Sequence, residues 1–462
     1  MASVPWYKRS LGLANKFDPG RIEYTEKEGV RFLAETYNVD IGETGDVARR
    51  MGYAATAVTA ACHSLWCEDG ICLFVTGDAL CILHEDMSYT ALRNVTIGAK
   101  MQYAQLGSTV FYTNGSELGG VTDNRSWVWE LPATVRSKDS TRVYSDPILG
   151  SIVRIYAGRV WIAAGDTLWY SEPFQYSVFV PGRNYIQFPG KIILVAPTTD
   201  GLYVSTDKTQ YFLGGGDPLK MTINRVAAYP AIPGTDVQVD GIAVGNGEHS
   251  NLITPMWTAT QGICLGAAGG KLINLTHDRL VYPRIVSGCA VYTGKRYITC
   301  LDDGLAISLG LTQIAPTQYG NFSFNSMCKF GDKVLGANSS GIFVLESGDR
   351  DNGTDISAFF KLGPTDFGVE NEKRLRRIYV GGRLDGRLKL HMSVEDREEE
   401  VVRELLPVDN TLRLTHQDVS GGRDLRGRFH SLKVANVAGA DFTITNILAV
   451  LIILGQTAKE GA

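Results

Sequence analysis

Histidine is scarce in this chain, with seven scattered through 462 residues. Nucleophile elbows and H-E-x-x-H pairs are absent, which removes common hydrolase and metalloprotease signatures. There is no basic excess either. Lys and Arg number 45 against 49 Asp and Glu, for a formal charge of −4. A protein that grips nucleic acid over its whole surface needs the opposite balance. Long apolar runs are missing. The strongest, "ILAVLIILG" near the C-terminus, is under half of the ~20 residues that a membrane-spanning helix needs. It reads as a strand covered on both faces, with no membrane insertion. The opening "MASVPWYKRS" lacks the apolar core of a secretion signal. The eight cysteines (62, 67, 72, 81, 264, 289, 300 and 328) are therefore expected as free, buried thiols. Cys62, Cys67 and Cys72 next to His63 are too widely spaced for a zinc knuckle, so no metal and no cofactor is expected.

What is present is glycine, 51 residues of it, with 44% hydrophobic and 10% aromatic residues. That balance favours short strands joined by tight turns. One unit recurs: strand, a turn of Gly, Asp, Asn or Ser, strand. It appears as "CLFVTGDALCIL" (72–83), "VFYTNGSELGGV" (110–121), "VWIAAGDTLWYS" (160–171) and "LYVSTDKTQYFL" (202–213). It continues as "ICLGAAGGKLINL" (263–275), "YITCLDDGLAISL" (297–309) and "VLGANSSGIFVL" (334–345). The turn centres fall near 77, 115, 165, 207, 269, 303 and 339, a mean step of about 44 residues, close to the ~40–45 of a four-stranded propeller blade. The fold class expected is all-β, a roughly seven-bladed β-propeller over residues 55–354. Residues 1–54, without a self-contained apolar pattern, are expected as an N-terminal arm along neighbouring chains or against the C-terminal domain. Residues 355–462 change character, with basic and acidic runs and returning alternation. They are expected as a C-terminal β-sandwich-like platform.

No chemistry-bearing constellation stands out. "GAAGGKL" (266–272) is one residue short of a phosphate loop, lacks its Ser/Thr and sits in a hairpin. Acidic residues in turns, such as Asp78, Asp166, Asp207, Asp302 and Asp303, suit the satisfaction of turn N–H groups. A glycan-active propeller needs a carboxylate pair flanking a pocket, and none is evident. The expectation is a chain that is not an enzyme.

Three stretches resemble a known family. "YNVDIGETGDVARRMGY" (37–53) carries Asn38, Val39, Asp40, Thr44, Gly45, Arg49, Arg50, Gly52 and Tyr53. "LWYSEP" with "DGLYVSTDKTQYFLGGGDP" fits the middle. "TDFGVENEKRLRRIYVGG" with "GRDLRGRFHSLKVANVAGADFTITNI" fits the end, with His430 where an aromatic is usual. Together they are similar to the tail hub, or nozzle, of short-tailed bacteriophages, also called a head-completion or DNA-stabilisation protein. The resemblance implies a structural virion protein, located in the tail and assembled in the host cytoplasm. It implies a hexameric ring below the portal-adaptor protein, contacts to other tail proteins (fibres, spikes or needle), and double-stranded DNA passing through the lumen without sequence specificity. A near-neutral chain suits passage, because every phosphate contact made must be broken on ejection.

Candidate assembly-interface residues are Arg49, Arg50, Tyr53, Lys373, Arg374, Arg376, Arg377, Arg426, Arg428 and Ile452. The basic run 373–389 beside the acidic run 395–400 admits three placements: a solvated hairpin with cross-strand charge pairs, complementary patches across a ring interface, or a DNA-facing strip. Two other function classes share this sequence pattern, a cellular propeller scaffold and a propeller enzyme acting on glycans.

Overall fold

The computed structural model describes residues 2–19, 24–25, 29–135, 142–245, 253–283, 285–394, 400–407 and 411–454. Among them the chain is all-β, as expected. Seven antiparallel four-stranded sheets follow one another along the chain. The first is Cys62–Glu68, Ile71–Thr76, Ala79–Leu83 and Tyr89–Asn94. The seventh is Ser326–Phe330, Lys333–Asn338 and Gly341–Leu345, completed by Ala54–Ala55 from before the first sheet.

Each sheet shares a separate core with the next. Leu73 and Val75 of the first meet Tyr103 and Val110 of the second. Phe111 of the second meets Val153 and Val160 of the third. Trp161 and Leu168 continue to Val195 and Val204 of the fourth, and Tyr203 and Phe212 to Trp257 of the fifth. Met256 then packs with Tyr297 of the sixth, and Ile298 with Phe343 of the seventh. Leu335 and Ile342 of the seventh return to Cys72 and Phe74 of the first. The sheets thus form a closed ring, the arrangement of a β-propeller. It explains why "CLFV" and "LYVS" do not alternate with polar residues: Leu73 and Val75 face one neighbour while Cys72 and Phe74 face the other.

All seven sequence hairpins are present. Six join the second and third strands of a sheet. The fifth, "ICLGAAGGKLINL", joins Gly262–Gly266 to Leu272–Asn274, the third and fourth strands. The second turn of that sheet is Thr260–Gln261, so part of the long step before 269 is a one-strand slip and not an insertion.

The N-terminal residues lie against the C-terminal domain, one of the two placements expected, and they are built into its sheets instead of forming a separate arm. Ala2–Tyr7 and Val47–Arg49 pair with Phe442–Ile453, and Val30–Tyr37 pairs with Phe359–Thr365. They complete two seven-stranded sheets built mainly from the C-terminal residues. The two sheets share one core, with Trp6, Tyr7 and Leu33 beside Phe360, Ile378, Leu390, Leu432, Phe442 and Ile447. Short strands, a parallel pairing of Arg9–Leu13 on Val30–Tyr37, and register breaks at Pro5/Tyr7 and Ser10/Leu13 erase the period-2 signal.

The cysteine expectation is corrected at one pair. Cys67 and Cys72 are cross-strand partners joined as a disulfide; the other six are buried thiols. The run at 447–454 also differs from a strand buried on both faces. Ile447, Ala449 and Leu451 face the core, whereas Leu448, Val450 and Ile452 are half-buried on the outer face. No helix among the described residues is long and apolar enough to cross a membrane.

Candidate functional site: a buried joint and a basic sheet end

The segment 37–53 forms the joint between the ring and the two-sheet domain. Val39–Ile41 and Val47–Arg49 pair as a hairpin around the Thr44-Gly45 turn, and the chain then enters the ring at Gly52-Tyr53. Asn38 adopts a left-handed φ of 54°, which Asn tolerates better than most residues. Its side chain donates to the Ser357 carbonyl at 2.8 Å and accepts from Gly320 N and Arg50 Nε, each at 2.8 Å. Arg50 also donates to both carboxylate oxygens of Asp351, at 2.8 and 2.5 Å, and to the carbonyls of Gly320 and Met51, each at 3.0 Å. Its guanidinium lies 5.3 Å from the ring centres of Tyr319 and Phe322. Pairing and stacking of this kind are what allow a charged side chain to be 1% exposed.

Arg49 donates to the Asp349 carbonyl at 2.6 Å and pairs with Asp441 at 3.3 Å. Gly52 packs so closely on the Arg350 backbone that no side chain fits there. The Tyr53 ring meets Phe322, Phe324 and Phe343 edge-on, and its hydroxyl donates to Asn321 O. Burial raises the Tyr53 pKa, as does Asp351, against the opposing pull of Arg50. Asp40 accepts from the Tyr319 hydroxyl and pairs with Arg296 at 3.3 Å. Burial depresses the Arg296 pKa, but Asp40, Tyr319 and Glu346 outweigh it and hold it above the usual value. An open cleft of ≈ 330 Å³ beside this network is lined by Asp46, Lys295 and Arg296 among others. Arg296, which lines the cleft, is paired with Asp40 and also with Glu346 at 3.7 Å, so this network holds elements together.

Arg49 and Arg50 therefore do not stand ready for another subunit. Their charges are met within one chain, a correction of the expected role that follows from their burial. Sequence reasoning had not found the partners Asp351, Asp441, Arg296 and Tyr319. They lie hundreds of positions away, and only Asn38 and Asp40, inside the quoted motif, were visible.

The remaining candidates gather elsewhere. Lys373-Arg374 pairs on one side with Arg426-Gly427 and on the other with Ile452-Ile453. Arg428 lies beside them through its carbonyl, which accepts from Lys373 Nζ at 2.7 Å. This is the far end of Phe442–Ile453 from the joint, roughly 35 Å away at ~3.3 Å per residue. Lys373 is buried, not part of a solvated strip. Arg376, Arg377, Arg426 and Arg428 are exposed. Arg377 pairs with Asp418 at 2.5 Å and Arg426 with Glu372 at 2.7 Å. The acidic partners thus come from residues 413–420 and 372. Most of the acidic run 395–400 lies outside the described residues.

Of the turn acids, Asp302 accepts from Val286 N and Ser287 N, and Asp303 from Leu305 N. The 266–272 loop closes a hairpin in which Gly269 N donates to Asp200 Oδ2 at 2.6 Å.

The sequence matches no described protein family and no curated protein. Among solved structures the chain is similar to YCF48 bound to D1 peptide, at 9% identity and a TM-score of 0.40, covering 64% of this chain and 94% of that one. It is similar to YCF48 from Cyanidioschyzon merolae at 8% identity and a TM-score of 0.39, covering 64% and 98%. It is also similar to PorZ, a surface component of the type-IX secretion system of Porphyromonas gingivalis, at 13% identity and 0.39, covering 82% of this chain but 48% of that one. These likenesses are remote, and the fold stands on the sheet order and the shared cores.

Proposed function

We propose that the chain is a non-catalytic structural subunit: a seven-bladed β-propeller fixed to a β-sandwich platform, serving as the tail hub or nozzle of a short-tailed bacteriophage. In this reading copies form a hexameric ring below the portal-adaptor protein, and double-stranded DNA passes through its lumen. The observation that carries it is the joint. The motif on which the family resemblance rests (Asn38, Asp40, Arg49, Arg50, Gly52 and Tyr53) is spent on a buried lock between two β-bodies, as suits a part that must transmit force without bending. The basic sheet end and the half-buried face of Leu448, Val450 and Ile452 are the surfaces assigned to subunit contact.

A monomeric interaction scaffold on the same ring is the second reading. It is favoured by a ring of sheets that closes within one chain and needs no partner. Sedimentation and electron imaging of the full chain separate the two. Closed hexamers with an open channel support the hub. A chain that remains monomeric at high concentration, with and without duplex DNA, removes the hub reading in favour of the scaffold.

A further inference from the structure

The ring closes where its first and last sheets meet, and three sulfur atoms sit at that seam. Cys67 and Cys72 lie opposite each other across a two-residue turn in the first sheet, where Asp69 and Gly70 both have positive φ. Cys328 belongs to the first strand of the seventh sheet, and its Sγ lies 2.7 Å from Cys67 Sγ. All three sulfurs are within 4.8 Å of one another. Cys72 and Cys328 are buried in the core that joins the two sheets, and Cys67 packs at its border. The neighbouring thiols are engaged elsewhere: Cys62 donates to Ala60 O, and Cys81 to Ala79 O.

We propose that Cys67, Cys72 and Cys328 form a thiol–disulfide exchange site whose second state covalently closes the ring. Cys328, as thiolate, attacks Cys67 Sγ. The Cys67–Cys328 bond forms as the Cys67–Cys72 bond breaks. Cys72 leaves as a thiolate and takes up the proton that Cys328 released. A lone pair of the Cys328 thiolate becomes the new S–S bond and the old bonding pair departs on Cys72, so one disulfide and one thiol are present before and after and no oxidant or reductant is consumed. The two states differ in what they constrain. Cys67–Cys72 spans a sequence separation of 5 and fixes one hairpin. Cys67–Cys328 spans 261 and ties the first sheet to the last. A longer closed loop removes more freedom from the unfolded chain, so the second state resists opening of the ring. Burial pushes the Cys328 thiol up, which makes the attack slow and keeps the first state from being lost at once.

The test uses the full chain in a glutathione redox buffer, with free thiols alkylated and the peptides mapped without reduction. Wild type is expected to give both the Cys67–Cys72 and the Cys67–Cys328 linkage. Cys72→Ser and Cys72→Ala are expected to give Cys67–Cys328 alone, with a thermal midpoint several degrees above that of the same variant in reductant. Cys328→Ser is expected to keep only Cys67–Cys72 and to show no such gain. The proposal is overturned if wild type yields Cys67–Cys72 alone or three free thiols. It is equally overturned if a folded Cys72 variant, checked by circular dichroism, holds Cys67 and Cys328 as thiols or carries glutathione on Cys67.

Discussion

Arg50 grips Asp351 through two parallel N–H···O bonds across a sequence separation of 301, with both side chains almost wholly buried. The contact ties the segment that leaves the two-sheet domain to the segment that leaves the seventh sheet. Breaking one partner of such a pair strands the other charge without water, at a cost of about 3–5 kcal/mol. Asp351→Ala is expected to destabilise the chain by that amount in denaturant unfolding. Arg50→Met, which also removes the stacking on Tyr319 and Phe322, is expected to cost at least as much. The double variant is expected to cost clearly less than the sum of the two. Additive losses would show that the pair does not act as a lock.

The deletion of residues 1–36 separates an arm from an integral part of the domain. These residues supply Trp6, Tyr7 and Leu33 to the shared core and hydrogen-bond to both seven-stranded sheets. Removing them strips Phe367 and Phe360 of their ring partners Trp6 and Tyr7 and opens the core to water. The expected outcome is loss of the cooperative transition of the two-sheet domain and binding of a hydrophobic dye. A truncated chain with the full-length far-ultraviolet spectrum and unfolding curve would show that residues 1–36 behave as a dispensable arm.

How much was legible follows from where the contacts lie. The seven hairpins were visible because each is local: two apolar strands and a turn within about a dozen residues. Ring closure was not, because Ala54–Ala55 is a two-residue strand that pairs with Val344 and Phe343, and two residues carry no period. The joint was half visible. Asn38, Asp40, Arg49 and Arg50 stand together in the sequence, but the groups that pair with the charged ones come from after the seventh sheet, from the sixth and from Asp441, just before the domain's last strand. Charge in a sequence suggests a surface; here Arg50 and Lys373 are buried because backbone carbonyls and a carboxylate meet them. An apolar run such as 448–452 does not reveal that, within one chain, only one of its faces has a covering sheet.

That face gives a paired test of the assembly proposal. Leu451 is fully buried in the core, while Ile452, next along the strand, is half-buried on the outer face opposite Arg374. Leu451→Asp places an unpaired carboxylate in hydrocarbon, at a cost of several kcal/mol, and is expected to prevent folding of the domain. Ile452→Asp gains a nearby guanidinium and is expected to fold, with stability within about 1 kcal/mol of wild type. It is also expected to weaken ring formation in sedimentation. An Ile452→Asp chain that assembles as wild type does would remove this face from the interface.

The last prediction concerns His430. Its ring is fully buried beside Phe367, 5.9 Å between centroids, and within electrostatic reach of the buried Lys373. Neither ring nitrogen has a hydrogen-bond partner of standard geometry. Burial, with a further push from Lys373, lowers its pKa from 6.5 to about 4, although backbone groups of Leu425 and Arg428 pull the other way. The folded chain therefore holds His430 neutral where the unfolded chain protonates it. Between about pH 6.5 and about pH 4 the unfolded state binds more protons, so stability falls as the solution is acidified and is flat in this respect above that window. A shift of that size corresponds to about 3 kcal/mol across the window. His430→Phe, which keeps a flat ring against Phe367 and cannot titrate, is expected to lose that part of the acid sensitivity while unfolding much as wild type does at neutral pH. Chemical denaturation of both proteins at several pH values within the window measures the difference. Parallel stability curves for the two would mean that His430 is not held neutral by its site.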